Sequence, residues 1–173
     1  MWFKYPIILL LFLITALFQA GFLPYFSIMN VAPNLLFILF FIVVFLKAEK
    51  DYYYEFFLVI TAGFFLDIFF NGRLGVSILS LFILYLAIQF TRHLLEEYQD
   101  EYFVGYYVLS FLVCFFAYGF LIQLLLHPLT IGMNVGIVTL VQILYNVTVA
   151  LLGLYAYEQI ADFLHRDRQL KLL

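Results

Sequence analysis

The sequence predicts an all-α membrane protein, a six-transmembrane-helix bundle forming one integral membrane domain over residues 1–173. Three observations predict it: 67% of residues are apolar against 11% charged, the apolar residues gather into six stretches, and Lys and Arg are distributed one-sidedly. Ordinary soluble domains are roughly 45–50% apolar and about 25% charged. The 23 Phe and 14 Tyr cannot all be withdrawn from water by so short a chain, because a small fold buries only part of its surface. Lipid is the solvent that accommodates them.

The stretches run Tyr5–Leu23, Pro33–Leu46, Tyr52–Phe70, Leu74–Thr91, Tyr102–Leu126 and Val135–Tyr157. A helix needs about 20 residues to cross roughly 30 Å of hydrocarbon, and all but the second stretch come near or above that length. Ala32-Pro33 opens the second with proline at the first helical position. It crosses where the bilayer thins, or borrows residues from Phe26–Val31. No stretch alternates as a barrel strand would. The first, with Lys4, an apolar core and Ala20-Gly21, has the outline of a signal peptide. Phe18, however, stands where a cleavage site wants a small residue, and five more stretches follow, so it reads as a retained helix.

Lys4, Lys47, Lys50, Arg92, Arg166, Arg168 and Lys171 fall on one side of this plan, and only Arg73 on the other. The positive-inside rule puts the larger group, with both termini, in the cytoplasm. Glu96, Glu97, Asp100 and Glu101 go to the same side, carboxylates weighing little in topology. A net charge of −3 gives no footprint for nucleic acid. Cys114, the single cysteine, lies in an apolar run; it offers neither a disulfide framework nor a Cys-based metal site and reads as a packing residue.

Asp67 is the most informative residue. Gly63, Asp67 and Asn71 recur every four residues, so they share a small, polar helix face that points into the bundle. An ionised carboxylate in a span costs on the order of 2.5–3.5 kcal/mol at the bilayer centre and less near an end. Asp67 is expected to pair with Arg73 across the Asn71-Gly72 turn and fix the hairpin of the third and fourth spans. The competing reading is an ion or proton site, or a docking contact. With Glu55 and Glu158 assigned to the cytoplasmic interface, the spans hold no second carboxylate for a relay.

Ala16 and Ala20, and Gly132 and Gly136, are spaced to allow close helix approach. Tyr52, Tyr53 and Tyr54 form an aromatic belt. Gln142, Asn146 and Thr148 read as glue between helices, and the Asn146-Val-Thr148 sequon lies in a span, out of reach of glycosylation. No catalytic constellation emerges. Ser27, Ser77, Ser80 and Ser110 lack a Gly-x-Ser-x-Gly turn, His93 and His165 are cytoplasmic, and His127 beside Pro128 stands alone. Without a Walker motif or a His-x-x-x-His pair, neither an enzyme nor a cofactor is expected. The connections Phe22–Ala32 and His127–Val135 carry no charge. They would form an apolar patch, lying in the interface or covering a partner's membrane helix.

Pro33-Asn34 followed by a Leu/Phe/Ile run, Gly63-x-x-x-Asp67 in the third span and Leu74-Gly75 opening the fourth resemble the rod-shape-determining MreD family. The resemblance covers the chain in plan, with its motifs mainly between Pro33 and Leu84. It implies a non-catalytic scaffold of the bacterial cell-elongation and peptidoglycan-synthesis machinery, a multi-pass protein of the inner membrane. The implied partners are an MreC-type periplasmic coiled-coil protein, the elongation transpeptidase, its SEDS glycosyltransferase and the MreB filament, among membrane lipids. It also implies a fold similar to the S components of energy-coupling-factor transporters. Gly63 and Asp67 map onto the family signature, and no catalytic residue is carried over. The structural or partner-contact candidates are Ala16, Ala20, Pro33, Asn34, Gly63, Asp67, Arg73 and Gly75.

The alternative is a substrate-binding S component of a vitamin-uptake transporter, since Ala16-x-x-x-Ala20 resembles the small-residue face with which S components meet their coupling subunit. A ligand pocket gathers several polar side chains. The outer half supplies only Asn30, Asn34, Asp67, Asn71, Arg73, His127 and Asn134, which favours the scaffold.

The basic asymmetry makes a direct prediction. In a Cys114→Ser background, cysteines at Lys50, Arg92 and Lys171 are shielded from an impermeant thiol reagent in intact cells, and one at Gly72 is labelled. Labelling of Lys171→Cys in intact cells would mean an odd number of crossings.

Overall fold

The computed structural model describes residues 4–46, 52–95, 103–126 and 136–170, with the backbone alone at 91–95, 158 and 160–170. The described chain is helical, and the protein is an all-α membrane protein. Its helices are α1 (Lys4–Gly21), α2 (Leu35–Leu46), α3 (Tyr52–Leu66), α4 (Val76–Leu95), α5 (Phe103–Leu126) and α6 (Ile137–Leu170). Among the described residues, α1, α3 with its continuation to Asn71, α5, and α6 as far as Tyr157 are long and apolar enough to cross a membrane. Leu35–Leu46 and Val76–Phe90 are shorter apolar helices.

Helix α2 is the centre of the fold. It is apolar all round, as a helix buried on every side must be, and it packs against α1, α3, α4 and α6. Phe37, Phe41 and Phe45, one turn apart, set their rings against Phe111 and Tyr107 of α5, with centroids 5.2–5.9 Å apart. That range is the one in which tilted and edge-to-face ring pairs add to area burial. Its neighbours bury one stripe each. On α1 the stripe is Ile8, Phe12, Ala16 and Gln19, leaving Ile7, Leu10, Ile14 and Leu17 facing outward.

The joints between helices follow from backbone chemistry. The α1–α2 connection begins with a 3₁₀ turn, Leu23–Phe26. It then closes a two-residue hairpin in which Ile28 and Val31 exchange both backbone hydrogen bonds, 3.0 and 2.9 Å. Met29 and Asn30 both have positive φ, 54° and 63°, the geometry of a tight turn whose twist suits a hairpin. Leu23 and Val31 are buried, while Tyr25, Phe26, Ile28 and Met29 are exposed.

Helix α3 does not end as a regular α-helix. It widens into a π-turn, Asp67–Asn71, closed by Gly72 in the left-handed region at φ 65°, whose N–H reaches the Asp67 carbonyl at 2.9 Å. Glycine adopts that conformation without steric cost.

Several boundaries differ from the sequence expectation. Helix α2 starts at Leu35, not Pro33, because Asn34 takes the N-cap: its Oδ1 accepts the Phe37 N–H at 3.1 Å. The helical backbone of α6 continues beyond Tyr157 to Leu170. Lys47, Lys50, Lys171, the acidic run Glu96–Glu101 and the connection His127–Val135, with Gly132, lie outside the described residues.

Two glycines report how closely helices approach. A Cβ on Gly63 would sit 2.6 Å from the backbone Cα of Ile78 in α4, whereas one on Gly153 would meet only the tip of the Ile42 side chain. Backbone cannot step aside as a side-chain tip can. Gly63→Ala therefore separates α3 from α4 and costs about 1–3 kcal/mol. Gly153→Ala is near neutral, its helix-propensity gain offsetting a rotamer change. Thermal loss of monodisperse protein in detergent, followed by size-exclusion chromatography, measures the contrast.

Candidate functional site

The helices alternate in direction, so the C-termini of α1, α3 and α5 and the N-termini of α2, α4 and α6 gather at one end of the bundle. Most buried polar side chains lie there, in two clusters.

The first forms around Asp67, 1% exposed. Its Oδ2 accepts the Gly75 N–H at 2.6 Å and its Oδ1 accepts the Ser77 N–H at 2.7 Å. These N–H groups stand at the start of α4, where no carbonyl of the same helix can receive them. Asp67 thus caps α4 from the neighbouring helix, and the positive end of the α4 dipole favours its negative charge. Gly75, at φ 96°, holds the backbone turn that brings its N–H into range. Asn71 Nδ2 donates to Ser77 Oγ at 2.5 Å, and Ser77 Oγ pairs with the Tyr118 hydroxyl at 3.3 Å, tying α5 into the joint.

The expected Asp67–Arg73 ion pair is not formed. Arg73 donates instead to the Leu126 carbonyl at the end of α5, at 3.4 Å and in an exposed position. The reason is competition. Two converging backbone N–H groups, already fixed by the fold, occupy both carboxylate oxygens, and immobilising a long exposed side chain would return little.

The second cluster surrounds the N-terminus of α2. The Leu36 N–H donates to Gln19 Oε1 of α1 at 2.9 Å, and the Asn34 N–H donates to Asn146 Oδ1 of α6 at 2.8 Å. Gln19 Nε2 donates to Asn34 Oδ1 at 3.4 Å, and Asn146 Nδ2 returns to the Gln142 carbonyl at 2.7 Å. Three uncharged amides from three helices thereby satisfy the start of α2.

Of the residues expected as glue, only Asn146 links helices. Thr148 Oγ1 bonds the Leu144 carbonyl of its own helix, and the Gln142 side chain is exposed. Ala16 is buried in the core, but Ala20 borders a cleft above α2, so the two do not form one contact face. A Cβ at Gly136 would meet open space.

Glu55 was expected at an interface, yet it is buried at the opposite end of the bundle. Its Oε2 accepts from the Tyr85 hydroxyl at 2.7 Å and from Gln89 Nε2 at 3.2 Å, both on one face of α4. Sequence reasoning also missed Gln19. Its available signal was position, since it continues the buried Ile8–Phe12–Ala16 stripe by three residues. Among the described residues, no three His, Cys, Asp or Glu side chains gather as a metal ion would require. No protein-family model, curated protein sequence or solved structure matches the chain.

The geometry separates the two charges at this end. Asp67→Ala leaves the buried Ser77 N–H without an acceptor, at about 1–3 kcal/mol, and the part-buried Gly75 N–H at less, since water can reach it. Arg73→Leu, at an exposed position, changes stability by about 0.5 kcal/mol or less. The double variant matches the sum of the two, within about 0.3–0.5 kcal/mol. Unfolding midpoints of the three purified variants test this; recovery of stability in the double variant would reinstate the ion pair.

Proposed function

We propose that the chain is a non-catalytic scaffold of the bacterial cell-elongation machinery, of the MreD kind. In this reading α2 and α4 complete six crossings of the inner membrane, with both termini cytoplasmic and the Asp67 and Asn34 clusters at the periplasmic end. It acts with an MreC-type coiled-coil protein, the elongation transpeptidase and its SEDS glycosyltransferase, and through them with the MreB filament.

One observation carries the reading. The residues of the resemblance are joints of the bundle: Asn34 caps α2, Gly63 admits α4, and Asp67 receives the N–H groups of Gly75 and Ser77. Side chains with chemical potential are spent on holding helices together, as suits a protein whose contribution is shape. The bundle then offers its partners apolar helix faces, such as the outward residues of α1, and the exposed hairpin tip at Ile28 and Met29.

Depletion in a rod-shaped host, combined with affinity purification in mild detergent, tests the proposal. The expected result is rounding of the cells and co-purification of the single-span periplasmic coiled-coil partner. Normal cell shape on depletion, together with a stoichiometric vitamin in the purified protein, would overturn it in favour of the transport subunit.

A further inference from the structure

Above the N-terminus of α2 lies a cleft of about 350 Å³, whose lining includes Gln19, Asn34 and Gln142 as polar residues and Pro24, Phe69 and Phe70 as apolar ones. Its volume is at the small end of the roughly 300–1,000 Å³ of small-molecule sites. The cleft exists because α2 is short. Its 12 residues span about 18 Å, so it starts below the ends of the longer helices around it.

The lining defines the ligand by what it offers and what it lacks. Among the described residues, no ionisable side chain borders the cleft. The first-turn N–H groups of α2 that could seat an anion are already taken by Gln19 and Asn34. A charged ligand would be desolvated there without a counter-charge.

What remains is neutral hydrogen-bonding capacity. The exposed Gln142 amide and the Asn34 Nδ2 group have no hydrogen-bond partner among the described residues. Gln19, 8% exposed, commits its Nε2 only to the long 3.4 Å bond to Asn34. An alkyl chain would leave these groups unmet, each at a cost. On the same lining, Phe69 and Phe70 supply ring surface, with Phe70 42% exposed.

A ligand matching both kinds of lining is uncharged, carries several hydroxyls that donate and accept, and has an apolar face to lie on a ring. The geometry points to a neutral sugar ring, carried on a lipid or free, as the occupant of this cleft. The inference rests on the cleft alone and not on the scaffold reading.

Native mass spectrometry of the full chain in a sugar-free detergent tests it. The probes are a glucosyl diacylglycerol, a phosphatidylglycerol with the same acyl chains, and free glucose as competitor. The expected result is one glucosyl lipid retained per protein, preferred over the anionic lipid. Gln142→Leu should reduce that retention about tenfold, as loss of a hydrogen-bonding amide would. Gln142 is exposed and supports no joint, so this variant folds, and its unfolding midpoint checks that. Displacement by free glucose assigns recognition to the ring alone; retention against glucose assigns it to the lipid-borne sugar. Equal retention of the two lipids, or retention unchanged by Gln142→Leu, would overturn the proposal.

Discussion

A helix that begins within the bundle has first-turn N–H groups with no carbonyl of its own to receive them, and lipid supplies none. Each such group left unmet at membrane depth costs several kcal/mol. Helix α2 poses this problem in its sharpest form, because its 12 apolar residues are packed on all sides. The solution draws one amide from each of three helices: Gln19 of α1, Asn34 at the α2 cap and Asn146 of α6. The positions of α1, α2 and α6 are therefore set by hydrogen-bond lengths as well as by side-chain volume. Van der Waals packing in a membrane has little hydrophobic drive behind it, so these polar contacts matter for choosing one arrangement over its near neighbours.

Helix α4 meets the same difficulty and answers it differently. Its first N–H groups go to a carboxylate on α3, and Ser77 and Tyr118 extend the contact to α5. The two answers leave different surroundings. Asp67 is closed in, with both oxygens occupied and only 1% of the residue exposed. The amide cluster is uncharged and incompletely used, and it opens on a cleft. A charge withdrawn from water has to be enclosed by partners to be tolerated, whereas neutral amides can border open space. The chemistry of the cap thus decides which joint is only structural and which has hydrogen-bonding capacity to spare.

How much of this was legible in the sequence depends on the kind of signal. Apolar stretches announce helices because a membrane helix must be apolar over its length, and α1, α3 and α5 match their stretches closely. Asp67 stood out because a carboxylate in such a run is costly. Its partner did not, since backbone N–H groups carry no residue identity and are invisible to any search for a complementary side chain. Arg73 was the nearest visible cation and drew the wrong inference. Gln19 was passed over and Glu55 assigned to an interface for a related reason: their partners, the Leu36 N–H and the Tyr85–Gln89 face, are set by helix rotation. Pro33 misplaced the start of α2 by two residues because proline at a first helical position and proline before an Asn cap look alike in sequence. Asn34 Oδ1 on the Phe37 N–H distinguishes them.

The Gly63, Asp67 and Gly75 positions make sense as one mechanism rather than three features. Gly63 has no Cβ where Ile78 passes, so α4 can lie against α3 at backbone distance. Only at that distance does the start of α4 come within reach of a side chain as short as aspartate. The π-turn from Asp67 to Asn71 and the left-handed Gly72 reverse the chain quickly enough for residues 75 and 77 to return to residue 67. Gly75, with positive φ, then presents its N–H to the same carboxylate that receives Ser77. Each element presupposes the others: a bulkier residue at 63 would pull the N–H groups away from Asp67, and a neutral apolar residue at 67 would leave them unmet in the closed joint. Loss of the carboxylate therefore acts first on the position of α4 and, through Ser77 and Tyr118, on α5. The carboxylate acts through the placement of α4 and α5, from inside the bundle rather than at its surface.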